Sequence, residues 1–398
     1  MRVTRLRLMD FRTYAELDLP LTRGLTIFTG RNAQGKSNIL EAVMIAATSR
    51  SFRTSTDREV VRWRAPGHFA RVEAEVARRH DTLDVEVVIS DAGMSPYPAE
   101  STVQAPAAPF RKRIRINGTP RRAMDLIGMV TVVVFAPTDL DLVTGSPAER
   151  RRFLDMTLCQ VRPAYCRALS QYQKVITQRG ALLRRIRDGE ESPHALGFWD
   201  EQLARLAIPI TRERETFLRY AESTAARTFA QLAGADADDV PPLRLEYRPS
   251  FDLDLPEDEG AAIAAFRGRL HDLRRRELAQ GANVIGPHRD DLAFLADSID
   301  LAVYGSRGQQ RSVALALKLA EMDFIEHETG DQPVLLLDDV LSELDVQRRA
   351  DLLGAVGDLD QVLLTTTDLS SVPPESLAGA TVYAVSRGAV TKVEAEQS

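Results

Sequence analysis

Leu25-Thr26-Ile27-Phe28-Thr29-Gly30-Arg31-Asn32-Ala33-Gln34-Gly35-Lys36-Ser37-Asn38 is a short apolar run that feeds directly into a glycine-bracketed loop and a Lys-Ser pair. Gly-x-x-x-x-Gly-Lys-Ser between an expected strand (25–29) and an expected helix (36 to about 48) is the phosphate-binding loop, or P-loop, of nucleotide-binding proteins. The glycines let consecutive backbone N–H groups turn inward around phosphate oxygens, at a helix N-terminus that already favours an anion. Lys36 then reaches the β- and γ-phosphates, and the Ser37 hydroxyl ligates Mg²⁺. Gly30, Arg31, Asn32, Ala33, Gln34, Gly35 and Asn38 complete the expected nucleotide-binding set.

A second stretch, Pro333-Val334-Leu335-Leu336-Leu337-Asp338-Asp339, has the form of a buried strand delivering two carboxylates at its C-terminal edge. That edge is where ligands sit in open α/β sheets. Asp338 is expected to hold Mg²⁺, directly or through water, and Asp339 to orient the attacking water as general base. A strand-terminal Asp also serves as a plain turn or helix cap, and it is the pairing with a P-loop that favours the catalytic role. A third stretch, Ser306-Arg307-Gly308-Gln309-Gln310-Arg311, opens an amphipathic helix carrying Val313, Leu315, Leu317, Met322 and Ile325. Serine plus glycine at a helix start makes either a second anion site or an ordinary serine N-cap.

The 398 residues exceed the usual ceiling for one hydrophobic core, so two or three lobes are expected. With 44% hydrophobic and 27% charged residues the composition excludes a disordered chain. No run approaches the ~18 apolar residues of a membrane helix; residues 130–136 and 334–337 are strand-length. The N-terminus, Met1-Arg2-Val3-Thr4-Arg5-Leu6-Arg7, has no apolar targeting region. Cys159 and Cys166 are too few for a disulfide framework, and their spacing suggests two buried positions on one helix face. A cytosolic chain is expected, with no metal beyond one that a nucleotide brings. The net charge of −6 advertises no nucleic acid. Of the 51 basic residues only five are lysines, and one of these falls inside the P-loop.

Leu6 and Leu8, then Leu17, Leu19 and Leu21, alternate with polar neighbours as strands do. Residues 72–77 and 83–89 read as a hairpin, and Ile114 and Ile116 as a strand before an Asn117-Gly118 turn. The Pro-rich stretch 91–109 is expected to be a mobile loop. Ser146-Pro147-Ala148-Glu149 has the order of a capping box. Helices are expected from there to about 233 with a break at 189–193. A polar passage (234–256) and one further helix (260–280) follow. Strand signals return at 300–303, 334–337 and 362–366, with a final hairpin at Arg387-Gly388. An α/β head is thus split by a helical insert.

The order of P-loop, long insert, Ser-x-Gly-Gln helix, Asp-Asp strand and Leu341-Ser342-Glu343-Leu344-Asp345 resembles the ATP-binding-cassette ATPases. Further strings narrow that resemblance to the RecF family: Arg50-Ser-Phe-Arg-Thr54, Phe135-Ala-Pro-Thr-Asp-Leu140, Gly145 to Asp155, Gly286-Pro-His-Arg-Asp-Asp291, and 304–311. The resemblance implies a cassette-type head, a mixed sheet with an antiparallel portion, formed by 1–144 plus 285–398, and a mainly helical second lobe over 145–284. It implies ATP and Mg²⁺ as cofactors, with Lys36, Ser37 and Asp338 as nucleotide and Mg²⁺ residues and Asp339 as hydrolytic acid. It makes Ser306, Arg307, Gly308, Gln309 and Gln310 a signature acting on ATP held by a second subunit, and Ser342 and Asp345 the D-loop. A weak, DNA-stimulated ATPase that dimerises with ATP follows, with RecR, RecO and indirectly RecA as partners in recombinational repair. Two departures from the wider cassette pattern stand out. The second acid is Asp, one methylene shorter than the commoner Glu, and Thr365-Thr366-Thr367-Asp368 stands where a switch histidine is usual. Pro137 to Asp141 is expected in place of a glutamine-bearing lid, and Phe11 to Tyr14 as an adenine pocket.

For DNA, the best basic group is Arg111-Lys112-Arg113-Ile114-Arg115, whose alternation sets Arg113 and Arg115 on one strand face, able to track phosphates. Other runs occur at Arg121-Arg122, 150–152, 184–187 and 274–276. Rival readings are another structural-maintenance-type ATPase, whose arms run to hundreds of residues, a transporter nucleotide-binding subunit, and a small-molecule P-loop kinase.

Overall fold

The computed structural model describes residues 1–90, 111–232, 241–251 and 256–393; the loop expected over 91–109 lies outside them, as do parts of 234–256. By packing, the chain divides into two compact units, Met1–Pro137 with Ile325–Ser398, and Thr138–Phe324. Segment 285–324, expected with the head, therefore packs within the second unit. In chain order the strands are β1 (Arg2–Phe11), β2 (Tyr14–Pro20), β3 (Gly24–Thr29), β4 (Phe69–Ala77), β5 (Thr82–Ser90), β6 (Arg111–Ile116), β7 (Thr119–Arg121), β8 (Val132–Phe135), β9 (Arg244–Arg248), β10 (Asp291–Ala296), β11 (Ile299–Asp300), β12 (Val334–Asp338), β13 (Gln361–Thr366), β14 (Thr381–Ser386) and β15 (Ala389–Lys392). The helices are α1 (Lys36–Thr48), α2 (Ala123–Leu126), α3 (Leu140–Thr144), α4 (Pro147–Val161), α5 (Pro163–Arg187), α6 (Leu196–Leu232), α7 (Glu259–Asp272), α8 (Arg274–Gln280), α9 (Leu301–Tyr304), α10 (Arg307–Thr329), α11 (Val346–Ala355) and α12 (Pro374–Leu377). None of the described helices is long and apolar enough to cross a membrane.

Among the described residues the first unit holds two six-stranded sheets. One is antiparallel, ordered β2-β1-β4-β5-β6-β7. Its alternation is the expected one: Ala70, Val72, Ala74 and Val76 of β4 are buried, and the intervening residues are less so. The other is ordered β15-β14-β3-β13-β12-β8 and is parallel except at β15. Its β12 and β13 are buried along their whole length, which fits the Val/Leu runs at 334–337 and 362–364. Helix α1 packs on β4 and β5 of the first sheet and on β12 and β13 of the second. Covered on both sides, it buries every residue but Ser37, as its all-round apolar sequence requires.

The second unit is built on the α5–α6 pair, with a three-stranded sheet β11-β10-β9 beside it. The 37 residues of α6 span about 55 Å at 1.5 Å per residue, far short of the long arms of a structural-maintenance ATPase. Phe217 anchors the core, its ring 5.8 Å from Phe153 and 4.8 Å from Phe324. Several expectations change here. Cys159 and Cys166 are both buried, but on two helices, because Pro163 starts α5 after Arg162 leaves helical geometry. Residues 260–280 form α7 and α8, broken at Leu273. Within the polar passage, Arg244–Arg248 is a strand, pairing with the equally unforeseen β10. Of the strand expected at 300–303 only Asp300 is in one, at the end of β11; Leu301 to Val303 form a helical turn, because Asp300 accepts the Ala302 N–H at 3.0 Å and caps it. Ser146 does start α4, but its hydroxyl donates to the Glu149 carboxylate instead of capping a backbone N–H.

One buried ion network ties the helices together. The Arg179 guanidinium, fully inaccessible, donates to Glu277 at 2.7 and 2.5 Å, to Asp200 at 2.9 Å and to the Asn283 side chain at 2.6 Å. Arg179→Met leaves the equally inaccessible Glu277 carboxylate without its counter-charge. Breaking such a pair costs about 3–5 kcal/mol. A fall on the order of 10 °C in the melting temperature of this unit, read by calorimetry, is expected; an unchanged melting curve would show the network to be energetically idle.

Candidate functional site: a nucleotide cradle at the parallel sheet edge

The P-loop joins the end of β3 to the start of α1, as its spacing predicts. Gly30 (φ +150°) and Gly35 (φ +113°) hold backbone conformations that side chains rarely adopt. A Cβ at Gly30 would stand 2.3 Å from the Val385 carbonyl oxygen, and one at Gly35 2.6 Å from Thr13 Oγ1, so both positions require glycine. Lys36 Nζ donates to the carbonyls of Gly30 (2.6 Å) and Arg31 (3.0 Å), closing the loop on itself. Burial lowers the Lys36 pKa, and the carboxylates of Asp339 and Asp338 oppose that shift, so all three groups lie within electrostatic reach of one another. Arg31, Asn32 and Ala33 are exposed at the loop tip, Gln34 and Ser37 are half-buried, and Gly35 and Asn38 are buried.

Residues outside the motif fix this loop. The tight β14–β15 turn donates its Arg387 N–H to Gln34 Oε1 at 2.8 Å. Tyr14 OH donates to the Gly35 carbonyl at 3.0 Å. Asn38 Nδ2 donates to Thr13 Oγ1 at 3.0 Å and its Oδ1 accepts from Arg53 at 2.8 Å. Glu41, inaccessible within α1, accepts two bonds from Arg12 (2.9 and 2.6 Å) and one from Ser51 (2.5 Å). Sequence reasoning missed this clamp. Its signal was a single acid in Ile39-Leu40-Glu41-Ala42-Val43, a buried charge that must have a partner. Phe11 and Tyr14, expected against adenine, are fully buried, so their rings belong to the core behind the loop.

The two acids come from the same sheet edge. β13 lies between β3 and β12, with Thr365 opposite both Phe28 and Asp338. Thr365 Oγ1 donates to Asp338 Oδ1 at 2.8 Å and accepts the Asp339 N–H at 2.9 Å. One hydroxyl thereby sets the Asp338 carboxylate and the backbone of its neighbour. Asp339 takes the left-handed conformation (φ +52°) and makes no side-chain cap to the turn that follows. The cap alternative therefore does not describe Asp339. Two other acids do act as caps: Asp345 accepts the Arg348 N–H at 2.9 Å, and Asp368 accepts the Ser370 N–H at 2.9 Å. Ser342 Oγ donates to the Asp339 carbonyl at 2.7 Å, so the D-loop segment is tied directly to the second acid.

The signature segment lies in the second unit. Ser306 and Gln309 cap each other: Ser306 Oγ accepts the Gln309 N–H at 3.2 Å, and Gln309 Oε1 accepts the Ser306 N–H at 2.9 Å. Gln310 is buried, donating to the Leu301 carbonyl at 3.1 Å; Ser306, Arg307 and Gln309 are exposed, and Gly308 is half-exposed. Immediately before it, Val303 (68% exposed) and Tyr304 (77%) are uncovered, as is Ile299.

Arg111, Arg113 and Arg115 share the outer face of β6, as alternation predicts, but that face is laced with ion pairs. Arg115 reaches Glu86 at 3.6 Å, and Glu86 also meets Arg71 at 3.3 Å. Lys112 points to the other face, where its Nζ meets Asp57 at 2.6 Å and the Ser49 carbonyl at the end of α1 at 2.6 Å.

Residues 2–372 match the family model described as the RecF/RecN/SMC N terminal domain. The DNA replication and repair protein RecF of Chloroflexus aurantiacus is 44% identical over 400 residues, covering 98% of this chain and 99% of its own length. That of Halalkalibacterium halodurans is 37% identical over 393 residues, covering 98% and 100%. Among solved structures, the recombination mediator protein RecF with ATPrS, of the RecFOR pathway, superposes with a TM-score of 0.85 at 28% identity, over 99% of this chain and 98% of that one. An Smc head bound to the C-winged helix domain of ScpA shares the fold alone, with a TM-score of 0.54 at 17% identity over 100% and 99% of the chains. With the head fold of the SMC-type ATP-binding-cassette ATPases and full-length similarity on this scale, the chain belongs to the RecF family of DNA replication and repair proteins.

Proposed function

We propose that the chain is an ATP-dependent DNA-binding protein of recombinational repair, in which ATP drives head-to-head dimerisation on DNA and slow hydrolysis ends it. The observation that carries this reading is the convergence of Lys36, Asp338 and Asp339 at one parallel sheet edge, with Thr365 joining the two acids. The P-loop N–H groups and Lys36 hold the triphosphate; Lys36 must leave the Gly30 and Arg31 carbonyls to do so. Asp339 accepts a proton from the attacking water. Its carboxylate is one methylene short of the usual Glu, which makes hydrolysis slow and suits a switch more than a metabolic enzyme. Ser37 and Asp338 offer the hard oxygen donors Mg²⁺ prefers, and Mg²⁺ bound there would offset phosphate charge. Neither Ser37 Oγ nor Asp338 Oδ2 is engaged in a hydrogen bond among the described residues, which fits that role.

Dimerisation is supported by what the signature end of α10 leaves uncovered. In the second unit Ile299, Val303 and Tyr304, near Ser306, are large apolar side chains in water, the mark of an interaction surface; in the first unit Val346 (79% exposed), after the D-loop, is likewise uncovered. Weak stimulation of hydrolysis by DNA, work in the cytoplasm, and action with RecR and RecO to load RecA at gaps or stalled forks complete the proposal. A relative's structure with ATP and its RecFOR pathway support it.

Ser306→Arg tests the trans-acting role. ATP affinity is expected to stay within about twofold, because the P-loop is untouched, while the bulky charge at the mating surface abolishes the ATP-induced dimer in sedimentation velocity. Loss of ATP binding in the monomer would mean that Ser306 acts on nucleotide in its own subunit and would overturn this part of the reading.

A further inference from the structure

A cavity of about 280 Å³ opens in the second unit between α5 and the segment after α8, lined chiefly by Thr177, Gly180, Arg184, Asn283, His288 and Arg289. Among the described residues no carboxylate lines it. That is unusual here, since the neighbouring arginines are engaged: Arg179 by Glu277 and Asp200, Arg185 by Glu191 at 3.1 Å, Arg187 by Asp188 at 3.0 Å. The Arg184 guanidinium, by contrast, forms no hydrogen bond or ion pair among the described residues, and that of Arg289 engages only its Nε, which donates to the Asn283 carbonyl at 2.7 Å.

The floor of the cavity is rigid. The Asn283 side chain accepts from Arg179 at 2.6 Å and donates to the Ile176 carbonyl at 2.8 Å. His288 Nδ1 is bonded to Tyr172 OH at 2.6 Å, and burial pushes the imidazole down to about 4, so it is neutral at pH 7 and the positive charge here comes from the two guanidiniums. Gly180 sits inside the 25-residue α5, where glycine is the poorest helix former after proline. A Cβ there would lie 3.4 Å from Asn283 Nδ2 and 3.8 Å from Arg184 Nη1, ordinary contacts. Packing therefore does not demand the glycine; a side chain would instead take up cavity space.

We propose that this cavity binds a phosphate oxyanion held by Arg184 and Arg289. Two guanidiniums with no carboxylate partner among the described residues, one wholly free of hydrogen bonds and one with both Nη groups free, over a rigid floor match the fork geometry of phosphate recognition. The phosphate belongs either to a DNA strand, in which case the site rests on the DNA-binding reading above, or to a free anion. The full chain is tested as wild type, Arg184→Gln, Arg289→Gln, the double variant, and Arg185→Gln as an equal charge change off the cavity. A gapped duplex is titrated by anisotropy across salt, and inorganic phosphate by calorimetry with the P-loop saturated by a non-hydrolysable ATP analogue.

For the DNA source, each cavity variant weakens duplex binding about fivefold near 0.15 M salt and lowers the log–log salt slope by about 0.9, with Arg185→Gln nearly unchanged. Unchanged duplex binding with phosphate binding lost only in the cavity variants identifies a free anion and still upholds the site. Cavity variants that match Arg185→Gln in both titrations overturn it. A wild type that binds no duplex defeats the DNA-binding reading, and the phosphate titration then decides the site by itself.

Discussion

Lys36→Ala is expected to weaken ATP binding by about 10- to 100-fold and to abolish the ATP-induced dimer. The variant loses charge-assisted hydrogen bonds to phosphate, worth about 1.5–3 kcal/mol, with each 1.4 kcal/mol a factor of ten. The geometry sharpens the case. Without nucleotide the ammonium is held by the Gly30 and Arg31 carbonyls at 2.6 and 3.0 Å, and two acids of the same sheet edge favour its charged form against burial. No other lysine lies in the loop. Titration with a fluorescent ATP analogue, alongside a melting curve to confirm folding, measures the effect. A variant that still dimerises with ATP would remove the P-loop from the switch.

Asp339→Asn is expected to reduce ATP turnover by about 10²- to 10⁴-fold, the usual contribution of a general base, while leaving ATP affinity intact. Asn preserves the shape of the side chain and tolerates the left-handed backbone found here at φ +52°. The substitution therefore removes the proton acceptor and little else. The ATP dimer should then persist on DNA, seen as a slowed release in single-turnover and anisotropy chase measurements. Turnover at the wild-type rate would exclude Asp339 from the chemistry.

The cradle was legible in the sequence because its parts are local. A glycine-bracketed loop between an apolar run and a Lys-Ser helix start can fold in few ways, and the observed helix, Lys36–Thr48, matches the expected one. Val334 to Asp339 announced itself by an apolar run ending in two acids. The supports were not legible, because they join residues distant in sequence: Arg387 to Gln34, Arg12 to Glu41, Thr365 to Asp338 and Asp339. Thr365 drew notice only for standing where a histidine is usual, and its double hydrogen bond depends on β13 inserting between β3 and β12.

Short polar strands were the other failure. Arg244–Arg248 sets one buried leucine, Leu245, and the half-buried Tyr247 among charges, so composition read it as loop. The basic strand Arg111–Ile116 shows the converse: its alternation was right, yet the partners that engage Lys112 and Arg115 come from Asp57 and Glu86 on other segments. A run of arginines in the sequence says nothing of which carboxylates face it. Arg184, set in a similar run, is without such a partner among the described residues, and only the fold reveals that.

ATP, and not ADP, is expected to close two heads on DNA. Sedimentation velocity of the wild-type chain without nucleotide, with ADP and with ATP–Mg²⁺, each repeated with a short gapped duplex, tests it most directly. A monomer is expected in the first two conditions and, with ATP, a dimer that co-sediments with the duplex. A monomer in every condition would contradict it, leaving a P-loop enzyme in which the Ser306 helix start is only a capped core helix.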